Sequence, residues 1–245
     1  MTLQLDFCTL FPDFFTSPLN SSILRRAAAQ GQVSYQLHNI RDWAHDKHKT
    51  ADDRPFGGGP GMVLKPEPIF ALFEALALEP GTPVVLTCPR APLFQQEDAL
   101  MLARQPRVVF LCGHYEGIDE RVREQLCSHL YAIGSYVLTG GEPAALVMAD
   151  AIVRLVPGVV GCPESIEQES FQEPLLDCPH YTRPAVFRDW AVPEVLLGGN
   201  HAAIARWRRE QQLKATLQYR PDLLARAELS PDEQRWLEQL RQEVS

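Results

Sequence analysis

Two stretches, VVFLCGHYEGIDER (residues 108–121) and AIGSYVLTGGEPAA (residues 132–145), decide the fold of this chain. Each begins with an apolar run and ends at glycine with a carboxylate close behind, and helix signals follow both. A strand that stops at glycine and turns into a helix leaves free backbone N–H groups at its end. Two such turns side by side predict a backbone-lined pocket for a polar small molecule. Neither turn is G-x-G-x-x-G and no G-x-x-x-x-G-K-[ST] occurs, which argues against a Rossmann or P-loop site.

The composition is that of a globular protein. The 245 residues, 45% of them hydrophobic, predict one large or two modest domains. No signal peptide and no apolar run of transmembrane length is recognised, so we expect a cytoplasmic protein without membrane contact. The net charge of −8 argues against non-specific nucleic-acid binding, while leaving room for a local basic face. Cysteines without C-x-x-C spacing predict reduced thiols rather than zinc ligands; they lie at positions 8, 88, 112, 127, 162 and 178.

Strand and helix patterns alternate along the first two thirds of the chain. Buried strands are predicted over residues 3–10, 33–37, 83–87, 108–112 and 136–139. Helices are predicted over residues 21–30, 67–78, 95–105, 119–127 and 142–154, with loop over 42–61. This alternation is typical of an α/β domain with a mainly parallel sheet.

The composition changes after residue 157. Residues 161–184 are polar, contain four prolines and show no clear period, which indicates a linker or functional loop. Helices are predicted over residues 201–219, 221–227 and 231–243. The sequence therefore predicts an α/β domain over 1–160, a linker over 161–184 and a small helical domain over 185–245.

Several long motifs occur in one order: DDRPFGGGPGM (52–62), LCGHYEGIDER (111–121), IGSYVLTGGE (133–142), RLVPGVVG (154–161) and LLDCPHYTRP (175–184). With them, nearly the whole chain resembles the bacterial tRNA (guanine-N1)-methyltransferases, a family of the SPOUT class. The resemblance implies methylation of guanosine 37, next to the tRNA anticodon, by S-adenosylmethionine. It also implies a deep trefoil knot in the α/β domain and an obligate homodimer with the active site at the subunit interface.

The resemblance also implies which residues hold S-adenosylmethionine. Three loops, at 86–91, 113–117 and 133–141, would surround it, and their glycines allow close backbone approach. The alternative is that these glycines make tight turns only and that the tyrosines belong to the core. The candidate cofactor residues are Leu86, Thr87, Pro89, Gly113, Tyr115, Glu116, Gly117, Ile133, Gly134, Tyr136, Leu138, Gly140 and Gly141.

Methylation of guanine N1 needs a base, because N1 is a poor nucleophile until its proton leaves. A carboxylate can take that proton while a cation stabilises the charge on O6. The family uses an Asp in a D-S-F triplet and an Arg at the end of the helix after the GGE turn. Here these positions hold Glu169, one methylene longer than Asp, and Arg154. The alternative for Glu169 is that it is an exposed acid in a polar loop without a catalytic role. Asp177 is the other carboxylate that could serve as the base, and we assign it to a structural or substrate contact instead.

Contact with tRNA is predicted at two places. Residues 201–220 carry five cations and one carboxylate in an otherwise acidic chain, which favours phosphate contact by Arg208, Arg209 and Lys214 over a merely solvated face. Asp52 and Arg54, in the glycine-rich segment, match the family pattern near the target base; a plain surface loop is the alternative. The anticodon stem–loop is the expected partner. The resemblance also implies that a divalent ion such as Mg²⁺ assists the reaction, although the sequence does not indicate which residues would bind it.

Two other functions stay open from the sequence. One is a knotted methyltransferase that acts on another RNA position, such as a ribose 2′-hydroxyl. The other is a non-catalytic RNA-binding dimer that kept the knot and lost the chemistry, for which the Glu at position 169 is the only support.

Overall fold

The structure is a computed structural model that describes residues 2–161 and 169–244. The chain divides into two compact units, Met1–Gly161 and Cys162–Ser245. None of the helices in the described part is both long and apolar enough to span a membrane.

The first unit alternates strands with helices. Its strands are β1 (Leu3–Thr9), β2 (Val33–Asn39), β3 (Asp52–Asp53), β4 (Val63–Leu64), β5 (Val84–Thr87), β6 (Arg107–Cys112) and β7 (His129–Tyr131). Its helices are α1 (Asp13–Leu19), α2 (Ser22–Ala29), α3 (Pro66–Leu76), α4 (Gln96–Ala103), α5 (Glu120–Leu126) and α6 (Glu142–Val153), with a short 3₁₀ turn at Ile40–Trp43.

Five of these strands form one parallel sheet in the order β2-β1-β6-β5-β7. Side chains alternate across it: Leu5 and Phe7 pack into one hydrophobic cluster, while Cys8 packs into the other. Because helices cover both faces, the strands are buried on both sides, as is usual for parallel sheets. The predicted α/β class with a mainly parallel sheet is confirmed.

The buried carboxylate of Asp6 connects side chains from three neighbouring strands of the sheet. Asp6 of β1, completely buried, accepts hydrogen bonds of 2.8 and 3.0 Å from the guanidinium of Arg107 on β6. Nε2 of His38, on β2, lies 2.7 Å from Oδ1 of Asp6. Burial acts to raise the pKa of Asp6, but the hydrogen bonds with His38 and Arg107 outweigh it and lower the pKa.

Most predicted elements of the first unit lie within a few residues of their observed bounds, but the strand predicted at 136–139 is wrong. These residues form a bend and loop, with Tyr136 and Val137 largely exposed. Their aromatic and β-branched character favours a strand, yet the edge strand of the sheet is β7, which ends at Tyr131 and was not predicted. Helix α1 was not predicted, because it is short and contains Pro18.

The second unit contains helices α7 (Glu194–Leu197), α8 (His201–Tyr219), α9 (Pro221–Leu224) and α10 (Pro231–Val244). Their apolar side chains gather around Leu175, Leu213, Leu224 and Leu237. A two-stranded hairpin, β8 (Val186–Phe187) and β9 (Trp190–Ala191), precedes the helices and was not predicted.

Candidate functional site

A small cavity lies at the carboxyl ends of β5 and β7, where ligand sites of parallel sheets are usually found. Its volume is about 70 Å³. The chain segments after both strands and the turn before α6 contribute to it. The structure thus gathers eight of the candidate cofactor residues: Thr87, Pro89, Ile133, Gly134, Tyr136, Leu138, Gly140 and Gly141. Cys88 and Val137 also line the cavity and belong to the predicted loops 86–91 and 133–141, whereas sequence reasoning missed Tyr131, Ala132 and Ala144.

The chain passes so closely at Gly141 that only glycine fits. The N–H of Gly141 donates a hydrogen bond of 2.7 Å to the carbonyl of Gly113. A Cβ at Gly141 would lie 2.8 Å from the nitrogen of Gly113 and would overlap the hydroxyl of Thr87. The turn before α6 therefore packs closely between the ends of β5 and β6, and a side chain at Gly141 would displace this turn.

The ring of Tyr136 folds back over the same loop. A Cβ at Gly134 would overlap this ring, and the Tyr136 hydroxyl lies 3.4 Å from the carbonyl oxygen of Ile133. The absence of a side chain at Gly134 therefore makes room for the ring, which is 56% exposed. Tyr136 lines the cavity from its outer side.

Five candidate cofactor residues do not line this cavity. Leu86 is buried in the core, and the other four, Gly113, Tyr115, Glu116 and Gly117, belong to the loop after β6. That loop is fastened to the glycine-rich segment before it in the chain: the N–H of Glu116 donates to the carbonyl of Met62 at 3.0 Å. The side chain of Glu116 lies against Gly61.

Arg41 connects the loop after β6 with Asp52. Its guanidinium donates a hydrogen bond of 3.0 Å to the hydroxyl of Tyr115, and it lies 4.0 Å from Asp52. Tyr115 adopts φ 61°, in the left-handed region that non-glycine residues rarely occupy. Asp52 is half-buried and Arg54 is exposed. One predicted substrate residue, Asp52, is thus tied to one predicted cofactor residue.

Sequence reasoning also missed the buried polar contacts behind the glycine turn. Glu142, only 3% exposed, begins α6 and accepts a hydrogen bond from Thr9 at the end of β1. Its other oxygen faces Gly140, beside the ring of His114, whose buried Nδ1 has no hydrogen-bond partner among the described residues. Arg154, the predicted cation, follows α6 directly and is half-buried.

The second unit has its own cavity, of about 620 Å³. It brings together four predicted residues: Glu169, Asp177, Arg208 and Arg209. Lys214 lines a neighbouring cavity of about 500 Å³, which shares Asp177 with the first. Predicted catalytic and substrate residues of the second unit therefore converge, although they come from positions up to 45 residues apart, 169 and 214.

Asp177 is held by hydrogen bonds on three sides. Its Oδ1 accepts from the N–H of Cys178 at 2.6 Å, its Oδ2 lies 2.9 Å from Nε2 of His180, and its own N–H donates to the hydroxyl of Ser170 at 2.8 Å. Partial burial acts to raise the pKa of Asp177, but the contacts with His180 and Cys178 outweigh it and lower the pKa. Asp177 is therefore an ionised, fixed acceptor rather than a proton donor.

Asp177, Cys178 and His180 also place one potential metal-ligand atom each within 4.8 Å of one another. Mg²⁺ prefers several oxygen ligands, and this trio offers one carboxylate. Burial raises the pKa of the Cys178 thiol, which opposes the thiolate that a softer metal would need. These residues do not fit the divalent ion that the resemblance implies.

Arg209 is already engaged within the second unit. Its guanidinium forms ion pairs with Glu233 at 2.6 Å and with Glu173 at 3.2 Å. Arg208, one residue earlier on α8, is exposed and forms no ion pair with any residue in the described part of the chain. Neighbouring arginines thus differ in their availability to a ligand.

Comparisons with known proteins identify the family of this chain. Residues 3–226 match the family described as tRNA (Guanine-1)-methyltransferase TrmD. A tRNA (guanine-N(1)-)-methyltransferase of Chloroflexus aggregans is 56% identical, over 92% of this chain and 89% of that protein. Proteins of the same name from Geobacter metallireducens and Moorella thermoacetica are 52% and 51% identical, over 99% and 97% of this chain and 100% and 96% of their own.

The fold, the glycine-lined site and these matches define a class of enzyme, the methyltransferases that process tRNA. Within that class, the chain belongs to the tRNA (guanine-N1)-methyltransferase family.

Proposed function

We propose that this enzyme transfers a methyl group from S-adenosylmethionine to N1 of guanosine 37 in tRNA. The observation that carries the proposal is the convergence of the 133–141 segment with Thr87 and Pro89 on one glycine-lined cavity, in a chain that belongs to the family. S-adenosylmethionine would supply an electrophilic methyl group on a sulfonium ion.

We place the adenosine part of this cofactor at the cavity at the ends of β5 and β7, which would have to open by movement of the Tyr136 ring off Gly134. Backbone N–H and C=O groups of the 133–141 segment would then pair with the ligand. Tyr136 would pack on the ligand, and Leu86 would support the cavity from the core. Gly113, Tyr115, Glu116 and Gly117 would close the site from the loop after β6, with Glu116 accepting from hydroxyl or amino groups.

Glu169 would act as the general base and take the N1 proton of the guanine. Its place beside Asp177 in the cavity of the second unit supports this role, since a fixed acceptor can orient the exocyclic N–H groups of guanine. Arg154 would stabilise the charge that develops on O6. These two residues belong to different units, and we propose that they meet in a homodimer with the active site at the subunit interface.

The exposed apolar side chains of the first unit support such a dimer. Val137 and Val147 are 83% and 53% exposed, and Phe14 is 44% exposed. We propose that these side chains are covered by the partner subunit in the dimer. We propose a trefoil knot for the same unit, as the family resemblance implies.

The tRNA anticodon stem–loop would lie across the basic face of α8. Arg208 and Lys214 are exposed and would contact phosphates, while Arg209 would combine such a contact with its ion pairs. Asp52 and Arg54 would approach the target base. We propose a cytoplasmic enzyme and assign no step to a divalent ion.

The test is methyl transfer from labelled S-adenosylmethionine to unmodified tRNA, followed by identification of the methylated nucleoside and its position. We expect 1-methylguanosine at position 37, and no transfer to the same tRNA with adenosine at that position. A product at another position or on a ribose would replace the proposal with a different RNA methyltransferase. Cofactor binding without transfer to any tRNA would indicate an RNA-binding protein without catalysis.

A further inference from the structure

The second unit contains another cleft, of about 420 Å³, beside the cavity that holds Glu169 and Asp177. Two aromatic rings contribute to its wall: Tyr181, which is 50% exposed, and Trp207 of α8. Their ring centroids are 6.3 Å apart and the ring planes are inclined by 55°. Open aromatic faces of this kind bind planar groups by stacking.

The charge of this cleft is positive. Arg183 and Arg208 are both exposed and line it, together with His180, and no carboxylate is among its lining residues. Neither arginine forms an ion pair within the described part of the chain. The neighbouring cavity, in contrast, is lined by three carboxylates, Glu169, Glu173 and Asp177.

The two sites are contiguous. His180 and Arg208 line both of them, so they form a common wall. One side offers carboxylates suited to the N–H groups of a base, and the other offers aromatic rings with cations. The guanidinium of Arg208 lies between the two, where the phosphate linking two consecutive nucleotides would pass.

We propose that this cleft binds an unpaired nucleotide adjacent to the target guanosine, with its base stacked on Tyr181 and its phosphate held by Arg183 and Arg208. Single-stranded RNA is recognised in this way, by splayed bases that stack on aromatic rings and by cations along the backbone. The inference rests on the proposed function, because it takes the target guanosine to occupy the adjacent cavity.

The experiment measures binding of a synthetic anticodon stem–loop RNA to the full-length protein. Tyr181→Ala removes the ring, Tyr181→Phe keeps it, and Phe187→Ala removes a similarly exposed aromatic ring of the same unit that lines none of these cavities. We expect Tyr181→Ala to weaken binding roughly tenfold, the usual size of one lost stacking contact, while Tyr181→Phe and Phe187→Ala bind as the wild type does.

The identity of the bound nucleotide is tested with two further RNAs, abasic on the 5′ or on the 3′ side of the target guanosine. With one of them the wild type should bind roughly tenfold more weakly, and Tyr181→Ala should then cause no additional loss. An equal loss for Tyr181→Ala with every RNA would overturn the proposal, as would unchanged binding of the intact RNA.

A third measurement, the molecular mass of each variant in solution, tests whether a second copy of the protein occupies the cleft instead of RNA. If Tyr181→Ala changes the oligomeric state, a second copy of the chain occupies the cleft and the proposal fails. Methyl transfer by the wild type separates the two proposals. If the wild type methylates guanosine 37 but Tyr181→Ala binds RNA normally, only the proposal for the cleft is refuted. If the wild type methylates no tRNA, the proposed function is refuted.

Discussion

The hydroxyl of Thr9 donates a hydrogen bond of 2.6 Å to Oε1 of Glu142, and both side chains are buried. This contact joins the end of strand β1 to the first turn of α6, directly after Gly140 and Gly141. A buried carboxylate is stable only when its oxygens are hydrogen-bonded. The hydroxyl of Thr9 therefore holds in place the turn on which the small cavity depends.

Replacing Thr9 with Val keeps the shape and removes this donor. We expect the free energy of unfolding to fall by about 2 kcal/mol, because the buried carboxyl group of Glu142 and the N–H of Phe11 both lose their hydrogen-bond partner. The affinity for S-adenosylmethionine should fall as well. Urea denaturation and calorimetric titration measure the two effects. Thr9→Ser, which retains the hydroxyl, is the matched control, and equal damage by both substitutions would show that packing rather than the hydrogen bond matters.

Adding a single methyl group at Gly141 should displace the turn before α6. In Gly141→Ala the new Cβ meets the backbone of Gly113 and the side chain of Thr87, so we expect a loss of about 1–3 kcal/mol in stability together with lost cofactor binding. The same substitution at Gly161, where no atom lies within 4 Å of the added Cβ, should leave both unchanged. Wild-type cofactor affinity in Gly141→Ala would contradict the role of this close passage.

Glu169→Gln tests the proposed base. It keeps the size of the side chain but cannot accept the N1 proton, so kcat should fall roughly 100-fold or more while S-adenosylmethionine binds normally. Glu169→Asp restores the carboxylate of the family pattern and should retain most activity. Glu228→Gln, at an exposed acid of the same unit, is the control. Unchanged turnover in Glu169→Gln would shift the base role to another group.

Asp6→Asn should destabilise the protein in a pH-dependent way. At pH 7 we expect a loss of about 3 kcal/mol, because the contacts of a buried charge with Arg107 and His38 are broken. The pKa of Asp6 is lowered on folding, from about 3.9 in an unfolded chain. Its contribution is therefore complete above that value and is lost as the pH falls through the lower, folded-state pKa.

The measurement for Asp6→Asn is the free energy of unfolding in urea from pH 7 down to pH 3. The difference from the wild type should stay constant at neutral pH and shrink below about pH 4. The exposed Glu79, changed to Gln, should show no such difference. A gap that persists unchanged at acid pH would mean that shape, rather than the carboxylate charge, is what Asp6 contributes.

Local sequence patterns predicted the sheet well. The apolar runs of β1, β5 and β6 are unambiguous, because parallel strands are buried on both faces. The same patterns gave a wrong prediction at 136–139, where Tyr136 and Val137 have strand propensity but lie on an exposed loop. Strand propensity describes fit to a half-buried surface, and the sequence does not say whether that surface exists.

In the candidate site, too, features that depend on neighbouring residues were predicted and contacts between distant residues were not. The turn at Gly113 could be predicted because a strand, a glycine and a helix follow one another locally. The turn at Gly140 and Gly141 was recognised from its glycines and from α6, although no strand directly precedes it. The contact between Thr9 and Glu142 was not, since these residues are 133 positions apart. The same holds for Asp6 with Arg107, 101 positions apart. The engagement of Arg209 by Glu173 and Glu233 likewise depends on how the helices pack, so sequence alone did not distinguish Arg209 from Arg208.

The resting position of Tyr136 on Gly134 bears on the discovery of inhibitors. The cavity of about 70 Å³ is far smaller than the several hundred Å³ of usual small-molecule sites. A nucleoside-sized compound therefore fits only after the ring swings off Gly134. Virtual screening against the closed arrangement would favour fragments and reject analogues of the natural methyl donor. Compounds that displace the Tyr136 ring should contact the surface of Gly134 that the ring now covers. Tyr136→Ala should increase their association rate.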